Sequence, residues 1–463
     1  MGSIHDAFIP DEQTIFGWIE TVFSRGVRRP GYAADLWTEQ FCLERFREFG
    51  LENARLEPVT LPYWEPIETA LIVKGSGGRE LSVPCFALPH SAATGGLDAP
   101  LVPWRDGNPE AVRGAIALAD VPLIRSPADF PLLLASRGAS GNEWRRCDPG
   151  GTLANSIQVL PFSPHFMTVM DAPIGAGAAG FVGVLSGYPG DSHRYYVPYD
   201  GIARAIPGVW VSGSNGAQLR ELAEKGGASA RLVSRAERRE IESHNVVGEL
   251  PGADDEIVIA GSHHDGPWAS AVEDGSGISM VLAQAAYWSK IPRAERPHRM
   301  VFLLNGGHMT GGAGVHSFIE RHRAELSRVV LEVHLEHAAN EFVERDGKLA
   351  ASGQPEPRWW FTSRIAPLEA IVREALAAER IGRSLILPPE VFGQHPTTDG
   401  GPFHLEGVPL VNFLTAPFYL FDAIDTLDKI HRQSLVPITR AAIRIIAATA
   451  GIGATTMRAA CFL

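Results

Sequence analysis

The sequence predicts an α/β protein: a three-layer αβα sandwich with a mostly parallel sheet, plus an inserted β-rich domain. After residue 245 the 463-residue chain alternates short apolar runs with segments of helical periodicity. This alternation is typical of a parallel sheet covered by helices on both faces. Residues 75–239 differ, because they are rich in glycine, proline and short β-type runs. We therefore predict a main domain formed by residues 1–74 and 240–463, interrupted by an inserted domain at 75–239.

The elements follow from local patterns. Ile15, Ile19 and Phe23 recur at helical spacing before a break at residues 28–31, so residues 11–49 are predicted to form two helices. After residue 245 the predicted order is strand 256–262, helix 276–289, strand 299–304, helix 312–325, strand 329–336, helix 367–380, strand 408–414 and helix 434–450.

Composition limits the function. The chain is 45% hydrophobic and 20% charged, which indicates an ordinary globular protein. Its formal net charge of −12 argues against general binding to nucleic acid or to an anionic membrane, so small molecules are the expected partners. The N-terminus lacks the basic and apolar regions of a signal peptide, and no run approaches the roughly 18 apolar residues of a membrane span. We predict a cytoplasmic protein.

The strongest motif is Gly261-Ser262-His263-His264-Asp265, followed eight residues after Asp265 by Glu273-Asp274-Gly275-Ser276-Gly277. In parallel sheets ligands gather at the carboxyl ends of strands, where His263, residues 306–314 and Glu336 are expected. A histidine and two carboxylates suit a divalent cation, and Asp265 is placed to orient the His263 imidazole. The sequence therefore predicts a metal site at this edge of the sheet.

The two motifs together resemble the zinc aminopeptidases of the co-catalytic two-metal type, and most of all the branch of glutamate carboxypeptidase and the transferrin receptor. That branch carries an inserted protease-associated domain, and residues 177–181, 206–212 and 245–248 are similar to it. The resemblance covers nearly the whole chain. It implies a zinc-aminopeptidase-like fold in which a protease-associated domain at 75–239 lies over the site, and possible homodimers.

The resemblance also implies roles for single residues. His263, Glu273 and Glu336 fall on the ligands of the first metal, whereas Met309 and Phe421 fall on the two ligands private to the second. A thioether is a poor ligand for a hard divalent ion, and a phenyl ring is none. Because both losses affect the same metal, the expected site holds one divalent ion, with zinc first and manganese or iron as alternatives.

Further candidates surround this site. His308 falls on the position of the family's general base, where it either accepts a proton or joins the metal ligands. His395 and Asp399 belong to a loop that lines the pocket in the resemblance, and both are candidate substrate contacts. Arg204 is either a bidentate partner for a substrate carboxylate or one half of a salt bridge.

Trp268 and Phe421 are expected to make the pocket less polar. Three other histidines are assigned structural or supporting roles: His264, His334 and His337.

These residues predict a metal-dependent hydrolase that cleaves an amide or other C–N bond of a small molecule through water activated by a single metal ion. Ordinary peptidase activity is not expected, because it needs the second metal. Two alternatives stay open. If His308 is a ligand, the set approaches the two-histidine, one-carboxylate site of non-haem iron enzymes, which suits lyase, deaminase or oxygen chemistry. The second alternative follows from the resemblance to the transferrin-receptor branch, and it is an interaction protein without enzymatic activity.

Overall fold

The computed structural model of the protein describes residues 4–78, 80–136 and 143–459. None of the described helices is both long and apolar enough to cross a membrane. The α-helices are α1 (Glu12–Phe23), α2 (Ala33–Glu48), α3 (Phe130–Ser136), α4 (Asp171–Gly175), α5 (Gly213–Glu224), α6 (Gly277–Trp288), α7 (Ala313–Arg321), α8 (Ala366–Ala378), α9 (Gly400–Leu405), α10 (Arg432–Ala447) and α11 (Ala454–Ala459).

Most strands of the described residues join one large, strongly mixed sheet. The strands are β1 (Glu52–Lys74), β2 (Glu80–Val83), β3 (Phe86–Ala87), β4 (Thr94–Pro103), β5 (Ile116–Asp120), β6 (Arg125–Pro127), β7 (Arg146–Cys147), β8 (Ile157–Val159), β9 (Gly180–Leu185), β10 (Gly208–Ser212), β11 (Ser229–Leu250), β12 (Ile257–His263), β13 (Arg299–Asn305), β14 (Val329–Leu335), β15 (Asn340–Arg345), β16 (Lys348–Pro355), β17 (Arg358–Thr362), β18 (Ser384–Leu387) and β19 (Leu410–Thr415).

Every helix and strand predicted after residue 245 is present. The largest difference from a predicted boundary is at the C-terminal end of α7. This helix was predicted to extend to residue 325, but it ends at Arg321 and a separate 3₁₀ helix, Arg323–Arg328, follows it. The two N-terminal helices are present as well, and α1 begins after Asp11, whose carboxylate accepts a hydrogen bond from the backbone N–H of Thr14 at 2.8 Å. Strands β17 and β18 were not predicted, because runs of five and four residues are too short to show a period.

The central part of the sheet has the order β11-β13-β12-β14-β19-β17-β18. Strands β13, β12, β14 and β19 are parallel to their neighbours within that group, whereas β11 and β17 pair antiparallel with it. The predicted α/β class with a mostly parallel central sheet is confirmed.

Alternate residues of β12 show the layers. Val258 and Ala260 pack in the same core as residues of α1, α6 and α10, whereas Ile257 and Ile259 pack in a second core with residues of α7 and α9. Successive side chains of a strand point to opposite faces of the sheet. The sheet is therefore covered on both faces, which is the predicted three-layer arrangement.

Residues 75–239 build a smaller set of strands around the parallel neighbours β4, β5, β9 and β10. The chain leaves and re-enters the main part through β1 and β11, which form a long antiparallel ribbon. One short strand of this segment, β7, pairs instead with β18 at the edge of the main sheet. The assignment of residues 75–239 as a protease-associated domain stays a prediction.

Candidate metal centre

The carboxyl ends of three parallel strands position the candidate residues at one edge of the sheet. His263 is the last residue of β12, His308 follows the end of β13 after two glycines, and Glu336 directly follows β14. Glu273 comes from the buried connection between β12 and α6. Because the strands are parallel, their ends meet, and the sequence-distant side chains become neighbours.

The three predicted ligands form a compact buried group. His263 Nε2 lies 3.5 Å from Glu273 Oε1 and 3.9 Å from Glu336 Oε1. All three side chains are at most 1% exposed. Burial raises the pKa of both glutamates, but the histidines around them outweigh it, so the net pKa of each lies below its usual value. A lowered pKa favours the carboxylate form, which is the form that binds a metal.

A fourth side chain belongs to the same group, and its predicted supporting role requires correction. His337 Nε2 lies 2.5 Å from Glu273 Oε2 and 3.7 Å from Glu336 Oε2, while its Nδ1 lies 3.0 Å from the carbonyl oxygen of Thr415. The resemblance gave no role to this position, and only its place directly after Glu336 signalled it. We call His263, Glu273, Glu336 and His337 the metal cluster.

The metal cluster fits a divalent cation. Within the described part of the chain, His263 Nε2, His337 Nε2 and both carboxylate oxygens of Glu273 have no hydrogen-bond partner of acceptable geometry. Burying such atoms without partners is costly. Zinc–ligand bonds of about 2.0–2.2 Å place the ligand atoms of one tetrahedral ion about 3.4 Å apart. Three separations in the cluster, of 3.5–3.9 Å, are close to this value, whereas His337 Nε2 and Glu273 Oε2, at 2.5 Å, are in direct contact.

His308 and Asp399 form a pair beside the metal cluster. His308 Nδ1 lies 2.7 Å from Asp399 Oδ1, and the His308 ring stacks on His263 with centroids 4.1 Å apart. Burial and His263 lower the pKa of His308, but Asp399 and Glu336 outweigh them and the net pKa lies above the usual value. With Nδ1 held by Asp399, Nε2 is the nitrogen left for a proton or a cation. Asp399, predicted to contact substrate, instead positions His308.

Asp265 contacts the His263 imidazole, as predicted, but through its backbone and not through its carboxylate. The backbone oxygen of Asp265, not its carboxylate, lies 3.0 Å from His263 Nδ1. The carboxylate instead accepts hydrogen bonds from the backbone N–H groups of His308 at 3.0 Å and Met309 at 2.8 Å. Asp265 therefore links the loop that follows β12 to the turn that carries His308.

Glu336 is held from behind by a chain of buried polar groups. His334 Nε2 lies 2.9 Å from Glu336 Oε1, and His334 Nδ1 lies 3.0 Å from Glu332 Oε1. His334 thus has the supporting role predicted for it. A ligand whose other atoms are fixed in this way keeps its orientation toward the cation.

The loop that carries Glu273 is held by two groups that sequence reasoning missed. Asp425 accepts hydrogen bonds from the backbone N–H groups of Val272 and Glu273. Arg28, which is fully buried, donates to the carbonyl oxygens of Ser270 at 2.9 Å and His264 at 3.3 Å. Arg28 had been interpreted only as part of a helix break, because nothing in a sequence shows that an arginine is buried.

The positions of the lost second-metal ligands are apolar in the structure. Met309 is fully buried, and Phe421 packs on Tyr199 with ring centroids 4.9 Å apart. Phe421 also lines a cavity of about 170 Å³ that opens on the metal cluster. The predicted contribution of Phe421 to a less polar pocket agrees with this geometry.

Asp399 and three further predicted substrate contacts do not line this cavity. Arg204 forms a buried salt bridge with Asp200, which is the second of the two roles that the sequence allowed for this arginine. Trp268 donates its indole N–H to the carbonyl oxygen of Phe421 at 3.0 Å and packs against Phe86, with ring centroids 5.0 Å apart. His395 Nδ1 lies 2.6 Å from the carbonyl oxygen of Pro396, and that proline, not the histidine, reaches the cavity wall.

A second buried cluster lies behind the first, and its side chains also come close enough to hold an ion: Asp35, Glu39 and His264. Its atoms are already paired. His264 Nδ1 lies 2.8 Å from Asp35 Oδ1, and His264 Nε2 lies 2.8 Å from the carbonyl oxygen of His244. Asp35 Oδ2 accepts from the N–H of Gly31, and Glu39 contacts both the N–H and the ring of His244. We call these three residues the support cluster.

Comparisons with known proteins agree with the fold. No protein-family model matches the chain, and no curated protein matches its sequence. Among solved structures, a peptidase M28 precursor from Shewanella amazonensis SB2B has a TM-score of 0.71 at 20% identity, covering 95% of this chain and 93% of that one. BSAP, a zinc aminopeptidase from Bacillus subtilis, has a TM-score of 0.64 at 17% identity, with 95% of each chain covered.

An aminopeptidase from Aneurinibacillus sp. strain AM-1 has a TM-score of 0.63 at 19% identity, covering 95% of this chain and 93% of that one. These identities are low, so the likeness concerns architecture. It extends over nearly the whole chain, as the resemblance in the motifs implied. The chain therefore has the fold of the M28 peptidases and zinc aminopeptidases.

Proposed function

We propose that this chain is a metal-dependent hydrolase that cleaves an amide or other C–N bond of a small molecule with one divalent cation. Zinc is the expected ion, and manganese and iron are the alternatives. One observation carries the proposal: buried nitrogen and oxygen atoms of the metal cluster face one another without hydrogen-bond partners among the described residues. Two solved structures of the same fold are described as zinc aminopeptidases, which supports zinc.

One ion rather than two is supported by the apolar side of the site. Met309 and Phe421 provide no hard donor atom, and Phe421 occupies the cavity wall instead. A peptidase that grips its substrate with two metals therefore lacks half of its ligands here. The proposed enzyme consequently differs from the aminopeptidases whose fold it shares.

The cation, when bound, acts as a Lewis acid that lowers the pKa of a water molecule toward neutrality. In this proposal His308 accepts a proton from the water as the new C–O bond forms and returns it to the leaving nitrogen as the C–N bond breaks. The products are a carboxylic acid and an amine. Asp399 holds His308 by Nδ1 at 2.7 Å, which fixes the tautomer that this proton transfer requires.

A second candidate function is supported by the composition of the metal cluster. His263, His337 and Glu336 offer donor atoms within 4.8 Å of one another. Two histidines and one carboxylate are the ligands of non-haem iron enzymes. Iron in the purified protein, together with oxygen-dependent turnover, would favour this candidate over the hydrolase.

The test is turnover by stripped protein reloaded with zinc, manganese or iron(II), using a panel of neutral amides and aminoacyl amides in ¹⁸O water. A hydrolase incorporates one ¹⁸O atom into the acid product, and the Glu336→Ala variant does not. Asp200→Asn, which alters the salt bridge to Arg204 outside the site, is the matched control and is expected to keep its activity. Absence of both metal and turnover would instead favour an interaction protein.

A further inference from the structure

The wall of the cavity beside the metal cluster includes seven phenylalanine, tyrosine and tryptophan rings from two distant parts of the described chain. Residues 161–199 contribute Phe162, Phe166 and Tyr199, and the main part contributes Trp359, Phe361, Phe392 and Phe421. The rings contact one another: Phe162 and Phe166 have centroids 5.3 Å apart, and Trp359 and Phe392 5.0 Å. Flat apolar groups pack well against such walls, in offset or edge-to-face arrangements.

The charges of the wall are confined to the metal side. Among the described residues that line the cavity, the ionisable acids and bases are Glu273, Glu336, His308 and His337, and all of them belong to the metal cluster or contact its members. No lysine, arginine or separate carboxylate of the described chain lines it. A bound cation would neutralise these carboxylates, so an ammonium group on the substrate, or a carboxylate away from the cation, would be buried without a free counter-charge, which is costly.

The remaining polar groups of the wall are neutral. Thr398 donates its hydroxyl hydrogen to Asn412, and Thr415 donates to the carbonyl oxygen of His337. Among the described lining residues outside the metal cluster, Trp359 has a buried nitrogen, Nε1, without a hydrogen-bond partner. Among the described residues, the wall away from the metal cluster therefore offers a ligand neutral groups alone.

The size of the cavity limits the ligand further. A volume of about 170 Å³ is close to that of an engineered cavity of about 150 Å³ that binds benzene. One six-membered ring with a short substituent fills such a space. The Phe392 ring, 41% exposed, stands at its rim.

We propose that the substrate is an uncharged amide of a single aromatic ring, with the ring in this cavity, the amide carbonyl at the metal cluster and no free α-ammonium group. The proposal rests on the hydrolase function proposed above and names its substrate class. It separates this chain from enzymes that recognise the amino terminus of a peptide, because the walls offer that amine neither a second metal nor a free carboxylate.

The test is equilibrium binding by titration calorimetry to metal-loaded and metal-stripped protein at about pH 6.5. The probes are 3-phenylpropanamide, phenylalaninamide, which adds only the ammonium group, and propanamide, which lacks the ring. About one α-amino group in 15 to 30 is neutral at this pH, so we expect phenylalaninamide to bind about 10-fold more weakly than 3-phenylpropanamide, and propanamide not to bind measurably.

Two pairs of variants sharpen the test. Phe392→Ala should weaken the binding of 3-phenylpropanamide by about 3- to 10-fold. The control is Phe130→Ala, because Phe130 is similarly exposed but lies outside the cavity, and this variant should leave the affinity unchanged. Thr397 is exposed and lines the cavity, so Thr397→Asp adds a carboxylate at the rim. It should reduce the discrimination against phenylalaninamide by about tenfold, and Thr397→Asn should not.

Equal or tighter binding of phenylalaninamide, or no binding of 3-phenylpropanamide, would overturn the substrate class whether or not other amides are hydrolysed. The opposite combination separates the two proposals. If 3-phenylpropanamide binds as expected and no amide is hydrolysed with any metal, the cavity assignment stands and the hydrolase proposal fails.

Discussion

The metal cluster and the support cluster are neighbours that differ in one respect. His263 and His264 are adjacent in sequence and both fully buried, yet their rings enter different groups of carboxylates. Each cluster brings ligand atoms within 4.8 Å of one another. In the support cluster these atoms contact hydrogen-bond partners, whereas in the metal cluster, within the described residues, four of them do not.

The difference shows why proximity of histidines and acids is a weak criterion for a metal site. A buried carboxylate is stable if it is paired, and the support cluster pairs its carboxylates with a histidine and with backbone N–H groups. The metal cluster instead brings imidazole nitrogens and carboxylate oxygens within 2.5–3.9 Å of one another without hydrogen-bond geometry, an arrangement that a shared cation would satisfy. The two clusters are therefore distinguished by whether their buried atoms have hydrogen-bond partners, and not by how closely their ligand atoms are spaced.

The largest difference between the clusters should appear when the metal is removed. A ligand present at about 1,000 times its Kd stabilises the folded state by about 4 kcal/mol, so stripping with a chelator should lower the melting temperature of the wild-type protein clearly. The His263→Ala protein should melt at the same temperature with and without chelator. A chelator effect of equal size in both proteins would show that the ion binds elsewhere.

Breaking the support cluster should have a different consequence. Asp35→Asn leaves the buried His264 without its charged partner, and we expect it to lower the free energy of unfolding by about 3 kcal/mol while the metal content per chain stays unchanged. Denaturant unfolding and elemental analysis of the same sample check both parts. Loss of the metal with little loss of stability would reverse the roles of the two clusters.

The contact between His308 and Asp399 tests the catalytic side of the metal cluster. Asp399→Asn removes the charge that raises the pKa of His308, so we expect kcat for a hydrolysed amide to fall by about 10- to 100-fold. The pH at which activity rises should also shift downward. Metal content is the control and should not change, because Asp399 lies behind His308 and outside the metal cluster.

The smallest expected effect is on the pH dependence of stability. Burial lowers the pKa of His264, but Asp35 and Glu39 outweigh it and raise it to about 9. An unfolded histidine has a pKa of about 6.5, so the stabilisation by His264 is complete below that pH and is lost as the pH rises through about 9. The wild-type protein should therefore lose more unfolding free energy between pH 7 and pH 10 than His264→Gln. Parallel curves would contradict this account of the support cluster.

The sequence predicted the fold well because its signals are local. Strong apolar periodicity marked the central strands and helices, and the motif around His263 placed a site at the ends of parallel strands. The short strands β17 and β18 lacked such periodicity and were missed.

The site was predicted less completely, because its remaining parts depend on the direction of side chains. His337 follows a predicted ligand but enters the cluster only through the turn after β14. Arg204 was open to two readings, and its contact with Asp200 four residues earlier decided between them. The support from Arg28 spans more than 230 residues, so no local pattern shows it.

Metal content per chain tests the central claim most directly. Protein purified without added metal should be analysed by elemental mass spectrometry, as wild type and as His263→Ala and His337→Ala. We predict about one divalent ion per wild-type chain, almost none in His263→Ala and a clearly reduced content in His337→Ala. Two ions per wild-type chain, or none, would contradict a single-metal site built on these residues.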